Sequence, residues 1–196
     1  NNLSQSGYRS LRLLSNPMRI LSTGWNIAIN ASCSQIVCRI DGHSKIDSNY
    51  VGTGAQLLLK ERYGKIAGVG GIYHYSGTGW KGQVISQLYS SRFAIGNSPF
   101  RKPVKNISYT DTAVYALYWK DIVEKVGLFN EEIRRNQDIE FHHRLHKAGY
   151  HLLTHPKMHI EYSVRSTFLK LMIKSFSDGL WIILSGKSYL RHRIPL

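Results

Sequence analysis

The feature that most constrains this chain is a short, apolar, β-branched run, Gln35-Ile36-Val37-Cys38-Arg39-Ile40, that stops at Asp41-Gly42-His43. Such a run reads as a buried strand of the kind found in parallel sheets. In open α/β sheets ligands bind beyond the carboxyl ends of the strands, so Asp41 and His43 stand where a site belongs. Two residues apart in extended chain, they point the same way. A carboxylate and an imidazole so placed can hold a hard divalent ion that keeps places for substrate phosphates. Alone, a D-x-H match is weak, and a capping Asp beside an incidental His explains it at least as well.

The segments around this strand alternate between helical and extended patterns. Thr23 to Ser34 places Trp25, Ala28, Ile29 and Cys33 near helical spacing, and Asn49 to Tyr63 reads as an amphipathic helix ended by Gly64. Ile66 to Ile72 is a Gly-rich strand, Asp111 to Tyr118 another, and Tyr150 to Leu153 and Met158 to Tyr162 two short ones. Lys120 to Val126 and Ile139 to Ala148 are helices ended by Gly127 and Gly149. Between Tyr73 and Tyr109 the sequence predicts a long functional loop with one helix around Lys81 to Ser91. The polar start, before Asn16-Pro17, reads as a connector or a frayed helix.

Charge bears on partners. Lys and Arg number 26 against 12 Asp and Glu, a net +14, which points to phosphates, nucleic acid or an anionic membrane. The basic residues are scattered, and no nucleic-acid recognition motif accompanies them, so nucleic acid is not the expected partner. Cys33 and Cys38 read as reduced, buried thiols. No apolar stretch reaches the roughly 18 residues of a spanning helix, and the start lacks a signal-peptide core, which predicts a cytoplasmic protein. From Thr167 to Leu184, apolar residues interrupted by Lys170, Lys174 and Asp178 form an amphipathic helix followed by the basic tail Lys187 to Arg193. That segment either packs on its own domain or lies on an anionic leaflet.

Acids are scarce, so a second cluster, Asn136-Gln137-Asp138-Ile139-Glu140, stands out where a helix begins. Asp138 either caps that helix or serves as a general base toward a hydroxyl. On the same helix His142, His143 and His146 lack the general base and third ligand of a helical zinc motif, which favours surface or packing histidines.

Taken in order, R-x-D-x-H at Arg39 to His43, V-G-G at Val69 to Gly71, V-G-x-F-[DN]-E at Val126 to Glu131 and R-N-Q-D-x-E-F at Arg135 to Phe141 resemble the family 2 glycosyltransferases, especially the succinoglycan and exopolysaccharide branch. The resemblance runs from about Asn16 to Trp181. It implies an α/β chain with a truncated, Rossmann-like GT-A mixed sheet flanked by helices. Residues 1–163 would be the transferase domain without its first βαβ portion, because the family's Pro-x-x-Asn-Glu and Asp-x-x-Ser-x-Asp motifs do not occur. Residues 164–196 would be a basic amphipathic segment at the membrane.

The resemblance also implies roles. Asp41 and His43 would bind Mn²⁺ or Mg²⁺, and Asn26, Arg39 and Asp41 the nucleotide-sugar donor. Asp138 would be the catalytic base, and Gly179 and Trp181 would lie on the acceptor and membrane side. Arg134 and Arg135 either contact phosphates or form a solvated pair. The expected activity is inverting hexosyl transfer to a lipid-linked or polysaccharide acceptor, on the inner face of the cell membrane. Alternatives are an inactive relative, or a basic module that binds anionic lipid or nucleic acid.

Overall fold

The computed structural model describes residues 11–42, 44–90 and 104–164, together with 169, 172, 173, 175–177, 179 and 180. The described strands are β1 (Ile36–Cys38), β2 (Lys45–Ile46), β3 (Ile66–Ser76), β4 (Ser108–Thr110), β5 (Val114–Trp119) and β6 (His151–Ser163). The helices with continuous description are α1 (Leu21–Ala31), α2 (Tyr50–Lys60), α3 (Gly79–Ser90), α4 (Lys120–Val126) and α5 (Gln137–Lys147).

All six strands join one mixed sheet in the order β1-β5-β3-β6-β2, with β4 also on β6. Only β3 and β6 run parallel; β1 pairs antiparallel with β5, Val37 opposite Tyr118. The parallel reading of β1 is therefore corrected: its only ladder among the described residues is with β5, and its three residues are half-buried. In contrast β5 is buried along its whole length, which makes it the centre of the core.

Helices cover both faces of the sheet. On one, Tyr50, Leu57 and Leu58 of α2 meet Leu117, Met158 and Ile160. On the other, Ile29 of α1 and Phe141 and Leu145 of α5 meet Ala116, Tyr118 and Leu152. The glycines of β3 permit this closeness: a Cβ on Gly71 would lie 2.3 Å from the Met158 carbonyl oxygen and 2.6 Å from the Tyr50 ring.

Further features differ from the sequence reading, which had no strands at β2 and β4. The two short strands at 150–162 are one strand, β6, because the β3 ladder jumps from Gly70 opposite Thr154 to Ile72 opposite His159. That irregularity accommodates Pro156, which cannot donate to a ladder. Within the expected long loop, β3 continues to Ser76 and α3 follows at once, packing Ile85 inside. Cys33 is exposed in the turn after α1, so it is not the buried thiol expected; Cys38 is half-buried, and burial pushes its pKa up to about 12.

Candidate active site at the end of β1

Directly beyond β1, Arg39 and Asp41 bring their side chains together. Arg39 Nε donates to Asp41 Oδ1 and Nη2 to Oδ2, both at 2.9 Å, a fork-on-fork pair. The guanidinium lies over the Trp25 ring of α1, 3.8 Å from its centroid. Its Nη1 stands 3.9 Å from Asp138 Oδ2. Burial opposes the Arg39 charge, but the bond to Asp41 and the charges of Asp41 and Asp138 outweigh it and raise its pKa.

Tyr115 closes the other side. Its hydroxyl donates to Asp41 Oδ2 at 3.2 Å and shares a short hydrogen bond with the Ser44 hydroxyl. Tyr115 has φ +43, unusual for a bulky residue. The conformation is held by the Tyr50 hydroxyl, which donates to the Tyr115 carbonyl at 3.0 Å and to that of Val114 at 3.2 Å.

Asp138 sits in the first turn of α5, where the helix dipole favours a carboxylate. Its Oδ1 takes the Ile139 N–H at 2.9 Å and Oδ2 faces Arg39, while the N-cap position itself belongs to Asn136. The residue that precedes the helix, Asn136, is left-handed at φ +60. The side-chain nitrogens of Asn136 and Gln137 are buried without a hydrogen-bond partner among the described residues. Behind Asp138, the Tyr118 hydroxyl and His142 Nε2 are 2.6 Å apart in the core. His142 is thus a packing histidine, and burial lowers its pKa to about 4. A cleft of about 280 Å³ opens beside Arg39, lined in part by Trp25, Ile29, Ile36, Tyr118 and Phe129.

Other expected site residues do different work. Asn26 is buried and its amide is committed: Nδ2 donates to the Phe129 carbonyl and to Glu131 Oε1, each at 2.8 Å, and Oδ1 accepts the Phe129 N–H. It positions the loop after α4, with both amide protons spent internally. Arg135 Nη1 donates to Ser177 Oγ at 3.1 Å, and Arg134 is exposed beside it. Gly179 is exposed in the C-terminal helix, while His43 and Trp181 lie outside the described residues.

Sequence reasoning missed Tyr115, Glu131 and Arg144. Arg144 pairs with Glu140 at 2.7 and 2.9 Å and donates to the carbonyls of Val126, Gly127 and Leu128, fastening α5 to the end of α4. The four-residue spacing of Glu140 and Arg144 was the available signal.

Among the described residues no three His, Cys, Asp or Glu side chains cluster as a metal cage. Asp41 nonetheless offers hard oxygen donors at the strand end, and a magnesium-type ion needs only one or two carboxylates when substrate phosphates complete its shell. The residues fit an ion that arrives with a diphosphate, provided Arg39 yields Asp41.

No family profile matches the chain. It is 25% identical over 175 residues to the dolichyl N-acetyl-α-D-glucosaminyl phosphate 3-β-D-2,3-diacetamido-2,3-dideoxy-β-D-glucuronosyltransferase of Methanococcus voltae, covering 88% of this chain and 54% of that protein. The chain thus spans about half the length of this curated relative. In structure it is similar to GalNAc-T7, crystallised with UDP, GalNAc and Mn²⁺: the TM-score is 0.53 at 10% identity, over 74% of this chain and 30% of that one. The chain has a GT-A-like fold, and in sequence and in structure alike it resembles glycosyltransferases.

Proposed function

We propose that this chain carries the catalytic centre of an inverting glycosyltransferase that moves a sugar from a nucleotide-diphosphate donor to a lipid-linked or polysaccharide acceptor. The observation that carries the reading is the meeting of Asp41 and Asp138 on one guanidinium, where one acid can serve the diphosphate and the other the incoming hydroxyl. Asp138, with a third of its side chain exposed, takes the acceptor's proton as that oxygen attacks the anomeric carbon. The bond to the diphosphate breaks on the opposite face, and its electron pair leaves with the phosphate. Arg39, held over Trp25 beside the cleft, offers its charge to that leaving group.

A divalent ion, Mn²⁺ or Mg²⁺, held by Asp41 with His43, would supply further neutralisation of the departing phosphates. The acceptor class is supported by the relative that acts on a dolichyl-linked sugar phosphate. Peripheral attachment to the inner face of the membrane, in exopolysaccharide or other cell-surface glycan synthesis, completes the proposal; among the described residues no helix is long and apolar enough to cross a membrane.

The test is Asp138→Asn in the whole protein. Transfer falls about a hundredfold or more, the scale of a lost general base, while donor binding persists. Unchanged turnover overturns the assignment.

A further inference from the structure

The described part of the C-terminal helix exposes Leu169, Met172, Ile173, Phe176 and Leu180, at 68%, 68%, 61%, 75% and 44%. At about 100° per residue these five fall within an arc of roughly 100°, one continuous apolar stripe. Scattered exposed apolar residues are ordinary, but a contiguous stripe of large ones marks a surface that is covered in use. Ser177, on the flank of the stripe, is the one described residue of this helix that is half-buried, and it receives the Arg135 hydrogen bond. Arg135 in turn lies in the loop that leads into α5 and Asp138.

We infer that this stripe docks on an anionic lipid bilayer, and that the Arg135–Ser177 contact fixes the Asp138 loop relative to the docked helix. Charge selects the occupant. From residue 165 onward the sequence carries Arg165, Lys170, Lys174, Lys187, Arg191 and Arg193 against Asp178 alone. An apolar helical face with cationic flanks gains from both the acyl boundary and anionic headgroups, whereas a protein partner's apolar groove gives no reason for so one-sided a charge. Arg135 is thus assigned a role as a latch through its Nη1. A lipid-linked acceptor, as proposed above, explains why docking and the base share one loop, but docking itself requires no turnover.

The test is co-sedimentation of the 196-residue chain with vesicles of equal parts phosphatidylglycerol and phosphatidylcholine. Binding is expected to fall about tenfold or more in pure phosphatidylcholine, at raised salt, and in Met172→Ser/Phe176→Ser. Both substitutions are at exposed positions, so an unchanged circular-dichroism spectrum verifies the fold. Failure to bind anionic vesicles, or equal binding by the double variant, overturns the inference. So does a wild-type dimer in light scattering that the double variant dissolves, since the stripe would then cover a second copy. For the latch, vesicles slow amide exchange across residues 133–138 in the wild type but not in Ser177→Ala; equal protection in both overturns it. Loss of transfer activity with vesicle binding intact would count against the proposed chemistry and leave the docking inference standing.

Discussion

The Arg39 guanidinium is bonded twice to Asp41 and stands 3.9 Å from Asp138, so a single cation holds together the acid that ends β1 and the acid that opens α5. Without that cation two partly buried carboxylates would lose their shared counter-charge, at a cost set by burial and mutual repulsion.

Replacing Arg39 therefore has a graded effect. Arg39→Lys keeps the charge but loses the planar fork and the stacking on Trp25, and Arg39→Ala loses all three. A charge-assisted pair of this kind contributes about 1.5–3 kcal/mol, so kcat/KM for the donor falls about tenfold to a hundredfold in Arg39→Ala. Arg39→Lys falls between this and the wild type. Steady-state kinetics with a nucleotide-sugar donor measure it, and a lysine variant equal to wild type would show that the fork geometry is irrelevant.

His142 makes stability depend on pH. Its pKa in the folded protein, about 4, lies below its usual 6.5, so as pH falls the unfolded chain takes up the proton first. The stability of the neutral, buried imidazole is fully present above pH 6.5 and is lost as pH falls toward 4. Its contribution is about 2 kcal/mol smaller at pH 5 than at pH 7.5. Urea unfolding at the two pH values should show that excess loss in the wild type relative to His142→Gln.

Asn26→Ala strands the Phe129 N–H and carbonyl and releases Glu131, which Thr23 alone then holds through its 2.9 Å bond. Buried unsatisfied groups cost about 1–3 kcal/mol each, so the melting temperature drops by several degrees at least. Donor affinity changes only through the displaced loop. A variant as stable as wild type with donor binding abolished would restore the direct contact.

Gly71→Ala tests the closeness of β3, β6 and α2. The added methyl meets the Met158 backbone oxygen at 2.3 Å, and backbone cannot step aside as a side-chain end can. Overpacking of this kind costs about 1–3 kcal/mol or more. Gly52→Ala, with open space around the same atom, is the control and does not lower the denaturation midpoint, which alanine's better helix propensity raises slightly.

Much of the site was legible because its signals are local. Arg39, Asp41 and Asp138 are polar residues placed directly after an apolar run or at a helix start, positions that the local pattern of the chain makes recognisable. Tyr115 was hidden inside a strand that reads as wholly apolar, and only the turn of its backbone at φ +43 brings its hydroxyl to Asp41. The bonds of Asn26 were not legible, because a lone Asn in a helix gives no sign that its amide holds a distant loop.

The sequence by itself determined where most helices lie and where the longer strands begin, since periodicity, glycine stops and β-branched runs act over a few residues; it did not show the short strands β2 and β4 or the full length of β3 and β6. It also determined the excess of positive charge and the apolar stripe of the last helix. Tertiary structure alone decided that β1 runs antiparallel to β5, that β6 passes Pro156 unbroken, and that Asp41 and Asp138 share Arg39. These depend on which faces bury against which and on charges far apart in the chain, and such pairings exist only once the sheet has closed around β5.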